Sequence, residues 1–169
     1  MSRSGPPLPI LRDVIALVEV AEPSRDALRR ELSDYLVEFA EMEGVAVARS
    51  ADGNPDYRWF DRYWVDADRM PFFIEVGSEI AGFCLVRVLD ADWSIAEFAI
   101  RPEWRRQRVG RRSVEVLAQK ARLSGADQLI ADVHTWNDRA LKFWAACGFR
   151  QVRAKDGIVH AQLPLEPSA

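Results

Sequence analysis

Cysteine is scarce in this sequence. Cys84 and Cys147 are the only two in 169 residues, far apart and with no histidine or cysteine at metal-ligand spacing beside them. That excludes a disulfide framework, argues against a metal centre and fits a reducing compartment such as the cytoplasm. Long apolar runs are missing as well, none approaching the roughly 20 residues of a membrane-spanning helix, so no membrane association is expected. Met1 to Pro9 hold three prolines and a glycine but no apolar core of the kind a secretory signal needs. A flexible tail is expected over residues 1–9. Basic charge is not in excess either: 23 lysines and arginines face 26 aspartates and glutamates, for a formal net charge of −3, so no general affinity for nucleic acid is expected. There is no internal repeat and no low-complexity tract.

What remains is the composition of a globular protein, 49% hydrophobic and 29% charged. A chain of this length buries roughly two-thirds of its unfolded surface as one domain without staples, so residues 1–169 are read as a single domain. Val14 to Val20 is a short, partly β-branched apolar run. Pro23-Ser24 then opens a helix with Leu28, Leu32, Tyr35, Leu36 and Phe39 at helical spacing. Gly53 to Pro55 breaks the chain, and Tyr57, Trp59, Phe60, Tyr63 and Trp64 suggest a second, shorter helix. Pro71–Val76 and Ile80–Val88 form a hairpin about Gly77-Ser78, and Trp93–Ile100 extends it as a third strand. A helix marked by Val109, Val114, Leu117 and Ala121 follows. After it come a strand at Gln128–Val133, a helix at Asn137–Cys147 and two closing strands at Phe149–Arg153 and Ile158–Leu163. This order describes an α/β (α+β) fold, a mixed, mostly antiparallel central sheet flanked by helices.

Positive charge is concentrated at one place. Between the strand ending at Ile100 and the helix beginning near Val109 stand Arg101, Arg105, Arg106 and Arg108, with Gly110, Arg111 and Arg112 just beyond. A helix N-terminus offers unpaired backbone N–H groups and the positive end of its dipole, so cations collected there make a site for a phosphate-bearing ligand. On an acidic chain, such a local cluster points to a small anionic ligand more than to a long polyanion.

Two patterns in this half of the chain resemble a known family. One is Glu97-Phe98-Ala99-Ile100-Arg101-Pro102-Glu103-Trp104-Arg105-Arg106-Gln107-Arg108-Val109-Gly110-Arg111. The other is Asn137-Asp138-Arg139-Ala140-Leu141-Lys142-Phe143-Trp144, closed by Gly148-Phe149. Together they resemble the GNAT superfamily of acyl-CoA-dependent N-acetyltransferases, whose members carry an Arg/Gln-x-x-Gly-x-Gly/Ala turn and an Asn-x-x-Ala-x-x-aromatic-aromatic helix ending in Gly-Phe. The resemblance spans nearly the whole chain. It implies acetyl-CoA as co-substrate without a metal, and a pyrophosphate held by Arg105, Arg106, Gln107, Arg108, Val109, Gly110 and Arg111. It also implies a pantetheine arm bonded to the main chain of Phe98, Ala99 and Ile100. Asn137 would hold the end of that arm or cap its own helix, and Phe143 and Trp144 would lie beside it or pack in the core. Arg108 stands where the family usually has glycine. A left-handed arginine would cost about 1–2 kcal/mol, so φ below zero is expected at Arg108.

Acetyl transfer to a lysine-like amine starts from an ammonium whose neutral form lies roughly 4–5 kcal/mol uphill at pH 7, so a base is wanted. Strand alternation sets Glu97 and Ala99 on one face and Phe98 and Ile100 on the other. A half-buried Glu97 with a raised pKa is the first candidate base, and a structural or surface glutamate is the alternative. His134, at a strand end, is the second candidate. The family often has a tyrosine acid where Trp144 stands, and an indole cannot serve as one; either the thiolate leaves without a dedicated acid, which a thiol pKa near 8.5 makes tolerable, or a tyrosine from elsewhere such as Tyr63 serves. Cys147 is discounted as a nucleophile because its position before Gly148-Phe149 calls for a small buried residue. Trp59, Phe60 and Tyr63 offer aromatic walls to a small-molecule or peptide amine, with core packing as the other explanation for these rings. The resulting expectation is a cytoplasmic N-acetyltransferase, with a homodimer in keeping with the family. A catalytically weak relative that binds acetyl-CoA as a regulatory module, and a transferase of longer acyl groups, are the competing expectations.

Overall fold

The computed structural model of the protein describes residues 14–167; the tail expected at residues 1–9 lies outside the described residues. Along the chain run β1 (Ile15–Glu19), α1 (Arg25–Glu43), β2 (Arg69–Val76), β3 (Glu79–Leu89), β4 (Asp92–Ile100), α2 (Val109–Leu123), β5 (Gln128–His134), α3 (Asp138–Ala146), β6 (Arg150–Lys155) and β7 (Ile158–Pro164). The strands form one sheet in the order β1-β2-β3-β4-β5-β7-β6. The β4–β5 pair is parallel and the other pairs are antiparallel.

Strands β2 and β3 read as nearly unbroken hydrophobic runs because both of their faces are covered. On one face Ile15, Leu17, Phe72, Ile74, Cys84 and Val86 join Val114, Leu117 and Ala121 of α2 and Trp144 of α3. On the other, Phe73, Phe83 and Leu85 meet Leu28 and Leu32 of α1. Helix α1 presents these leucines at four-residue spacing and ends on Gly44, whose φ of 76° only glycine adopts freely.

The helix expected around residues 57–64 is a 3-10 turn over Phe60–Trp64. Three residues per turn stack Phe60 directly over Tyr63, and both sink into the α1-side core at 3% exposure. Five residues cannot meet the nucleation cost of an α-helix. The turn is pinned by Trp64, whose indole Nε1 donates to the Val20 carbonyl at 2.9 Å.

Close approach of β3 and β4 depends on Gly82. A Cβ built there would lie 2.1 Å from the Ala99 carbonyl oxygen. Gly82→Ala is therefore expected to destabilise the fold by about 1–3 kcal/mol. Thermal unfolding should show it as a midpoint lower by roughly 2–4 °C per kcal/mol; an unchanged midpoint would refute the tight contact.

Candidate active site

A β-bulge in β4 creates the opening on which the site is built. Leu85 pairs with Glu97 and the next residue, Val86, pairs with Ile95, which leaves Ala96 as an extra residue. Before the bulge Trp93 and Ile95 face the α2 side, and after it Phe98 and Ile100 do. The insertion thus reverses the parity of the strand and turns Glu97 toward α1, a common use of bulges beside active sites. Pairing between β4 and β5 also stops there, its last partners being Ile95 and Ala131. Beyond that point β5 continues to pair with β7 through His134. The two central strands therefore diverge from Ala96 onward.

Glu97 lies on the α1 side of this opening, partly buried, with the Tyr35 and Tyr57 hydroxyls beside its carboxyl. Burial raises its pKa from 4.5 to about 7, and the two phenols counter part of that rise. Burial likewise pushes the Tyr35 phenol well above its ordinary 10, with the Glu97 charge adding to the effect. Tyr57 is raised for the same two reasons in the same order. Tyr63 stands beside Tyr57 and Arg69 and is raised by burial; its hydroxyl is enclosed, with no well-formed hydrogen bond among the described residues. Tyr35 also lines a cavity of about 420 Å³ between α1 and the β3–β4 strands, together with Glu31, Asp34, Phe83 and Ala99.

The arginine-rich turn corrects one expectation directly. Arg108 has φ 62° and ψ 8°, in the left-handed region and not below zero, and Arg106 joins it at φ 60°. Positive φ at Arg106 and Arg108, with Gln107 between them, is the sign alternation from which an anion-binding nest of N–H groups is built. The main chain thus enters α2 through two left-handed arginines. The first helical bond of α2 runs from Arg112 N–H to the Arg108 carbonyl at 3.0 Å. The N–H groups of Val109, Gly110 and Arg111 therefore lie outside the helical ladder. The side chains of Arg106, Gln107, Arg108 and Arg111 are exposed around this end.

Arg105, expected among the phosphate ligands, is engaged elsewhere. Its two terminal nitrogens each donate at 2.7 Å to the Glu38 carboxylate, and its Nε donates at 2.8 Å to the Ile100 carbonyl. Gly110 also differs in its reason for being small. Its φ is not positive, and a Cβ would stand 3.0 Å from Phe143 Cε2 and 3.4 Å from Ile100 Cγ1, so glycine here lets α2 close onto Phe143.

Across the opening, the Asn137 side chain accepts from Ala140 N–H at 3.1 Å and caps α3. Phe143 stacks on Phe98 at 5.5 Å, and Trp144 packs edge-on between Phe98 and Phe149. Trp144 is 8% exposed, a core residue in its own right. His134 lies in an aromatic stack with Trp136 and with Phe39 of α1. Phe60 is core, capped by the Arg29 guanidinium. Trp59 keeps 40% exposure beside Arg58 and Arg69. Burial raises the Cys147 thiol to about 11, which suits an inert residue.

The family model for the acetyltransferase (GNAT) family matches residues 26–149. The chain belongs to the GNAT acetyltransferase family. Among solved structures it is similar to an acetyltransferase from Thermus thermophilus, at 22% identity and TM-score 0.76, covering 91% of this chain and 99% of that one. It is also similar to the ribosomal-protein-S18-alanine N-acetyltransferase from Escherichia coli, at 16% identity and TM-score 0.66, covering 92% and 97%. A third is PaiA N-acetyltransferase from Thermoplasma acidophilum in complex with coenzyme A, at 11% identity and TM-score 0.65, covering 89% and 99%. These likenesses show the GNAT fold, as the strand order of the sheet does. No curated protein matches the sequence. GNAT enzymes are acyltransferases that use acetyl-CoA.

Tyr35, Tyr57 and Glu38 escaped the reading of the sequence. Tyr35 sits at helical spacing among leucines and reads as core, and Glu38 meets Arg105 only across 67 residues of chain. Two substitutions separate backbone shape from side-chain charge in the turn. Arg108→Gly should relieve left-handed strain of about 1 kcal/mol and raise the unfolding midpoint by about 2–4 °C; a fall would show that the arginine is not strained. Gly110→Val should weaken acetyl-CoA binding in calorimetry more than Arg108→Ala does, because it displaces Phe143 and the start of α2. The reverse order would make the Arg108 side chain the dominant contact.

Proposed function

We propose that this chain transfers an acetyl group directly from acetyl-CoA to a primary amine, with Glu97 as the general base. The observation that carries the reading is the placement of Glu97 at the bulge, where β4 leaves β5. Acetyl-CoA supplies the acyl group as an activated thioester. The nest at Arg106 to Gly110 and the α2 N-terminus are assigned its pyrophosphate, and the free main-chain edge of Phe98 and Ala99 its pantetheine arm. Ile100 contributes less than the sequence suggested, because its carbonyl already accepts from Arg105.

The acceptor is assigned to the α1 side, through the cavity that Tyr35 lines. Glu97, with a pKa of about 7, is matched to neutral pH: ionised often enough to accept a proton and basic enough to hold it. His134 lies against Trp136 at the end of β5, whereas Glu97 stands at the bulge itself, and the proton is assigned to Glu97. Trp144 supplies no acid, and a thiol of ordinary pKa near 8.5 departs as thiolate without one. Tyr63, buried behind Tyr57, is not assigned that task. The acceptors of GNAT enzymes include small molecules and proteins, and the class used here is set by the walls of the cavity.

Purified protein incubated with acetyl-CoA and a panel of polyamines, aminoglycosides and peptides should release coenzyme A thiol. Binding without release against every amine would favour the regulatory-module reading, and tighter binding of longer acyl-CoA would favour a longer acyl donor. Glu97→Gln should retain acetyl-CoA affinity and lose about 10²–10⁴-fold in turnover; unchanged turnover would remove Glu97 as base. In the parent, kcat/KM should rise with pH through about 7. Tyr35→Phe deletes a donor that lowers the Glu97 pKa, so that limb should move to higher pH; an unmoved limb would refute the contact. Because the carboxyl pKa is raised on folding, the contribution of Glu97 to stability is most favourable below pH 4.5 and is lost as pH rises toward 7. Glu97→Gln should thus unfold at higher temperature than the parent at pH 8.

A further inference from the structure

Glu38 stands near the C-terminal end of α1, on the face turned toward the opening between β4 and β5. From one lip it receives both terminal nitrogens of Arg105 at 2.7 Å. From the other lip Arg139, in the first turn of α3, brings Nη1 within 3.8 Å of the same carboxylate. The next residue, Phe39, packs on His134 at the end of β5 and on Trp136 just before α3. The last turns of α1 therefore touch the β4–α2 turn, the end of β5 and the start of α3, the three elements that frame the opening.

Arg105 carries this connection into the backbone. Its Nε bonds the Ile100 carbonyl, which closes the chain over the 3-10 turn at Pro102–Trp104 and fixes the point from which Arg106 and Arg108 enter left-handed geometry. A bidentate guanidinium–carboxylate pair is directional as well as strong, so it sets the orientation of Arg105 and with it the direction in which the nest opens. With three of its five N–H groups already engaged, Arg105 acts on a ligand through the shape of the turn.

The geometry points to Glu38 as a positioning residue for the coenzyme: it braces Arg105 and, at longer range, Arg139, so that the amide nest faces the opening before the ligand arrives. This rests on the functional reading above, in which that nest holds the pyrophosphate of acetyl-CoA. A carboxylate near a phosphate site would by simple charge repel the ligand, and the two effects predict opposite signs. The brace predicts weaker binding when Glu38 is neutralised, and repulsion predicts tighter binding.

Calorimetry with coenzyme A on the full chain decides between them. Glu38→Gln keeps size and loses charge; it should raise the Kd about tenfold with an unfolding midpoint close to that of the parent. Arg105→Gln should produce a similar loss, and the double variant should be no weaker than the worse single one, since both act through one pair. A Kd for Glu38→Gln within about twofold of the parent, or tighter, overturns the proposal. So does a double variant whose loss is the product of the single losses. Absence of binding by the parent at millimolar coenzyme A overturns both this proposal and the functional reading, whereas normal parental binding with an unaffected Glu38→Gln overturns this one alone.

Discussion

One extra residue in β4 governs the site. Ala96 has no counterpart on β3; paired in regular alternation it would hold one parity through the strand and place Glu97 on the α2 face with Trp93 and Ile95. The bulge turns the carboxylate toward α1 and ends the ladder with β5 in the same step. An anionic side chain and an unpaired stretch of main chain thus arise together, from one backbone irregularity. Either alone would be a defect: a carboxylate in an apolar core, or a strand edge with nothing to pair with it.

Around that point the chain separates its charges. Glu97 is kept from full ionisation near neutrality by burial, with neutral phenols beside it. The arginines follow the C-terminal end of the same strand, outside the core, where the helix dipole and exposed amides add to their positive field. Helix α1 spans both regions, with Tyr35 reaching the carboxylate and Glu38, three residues later, reaching the arginine turn. Those three residues form one helical turn, so a rigid element registers the acid end of the site against the cationic end.

Much of this was legible in the chain. The hydrophobic periods located the strands and helices, the arginine cluster marked the helix start, and the alternation around Phe98 placed Glu97 and Ala99 on one face, as they are. Four features were hidden, each for a physical reason. Ala96 is an unremarked small residue in a strand, since a bulge is a relation between two strands and leaves no signature in one. The pairing of Arg105 with Glu38 is a long-range contact, and local pattern assigned that arginine to the ligand. Arg108 carries a conformation that intrinsic preference opposes, and the main chain enters α2 through it despite the residue's own cost. The second tyrosine at the carboxylate, Tyr57, lay in an aromatic stretch whose rings divide between core and site, and sequence spacing does not divide them. Phe60 went to the interior and Trp59 stayed at the surface.

The left-handed arginines bear on how this turn meets its ligand. Glycine in the same places would wander through many shapes while empty and would surrender that freedom on capture. An arginine has far fewer shapes to explore, so the strain held in the folded backbone is exchanged for a smaller entropic loss at the moment of association. A stiff, strongly cationic rim of this sort also draws an anion from a distance, and the speed of capture will fall as dissolved salt screens it.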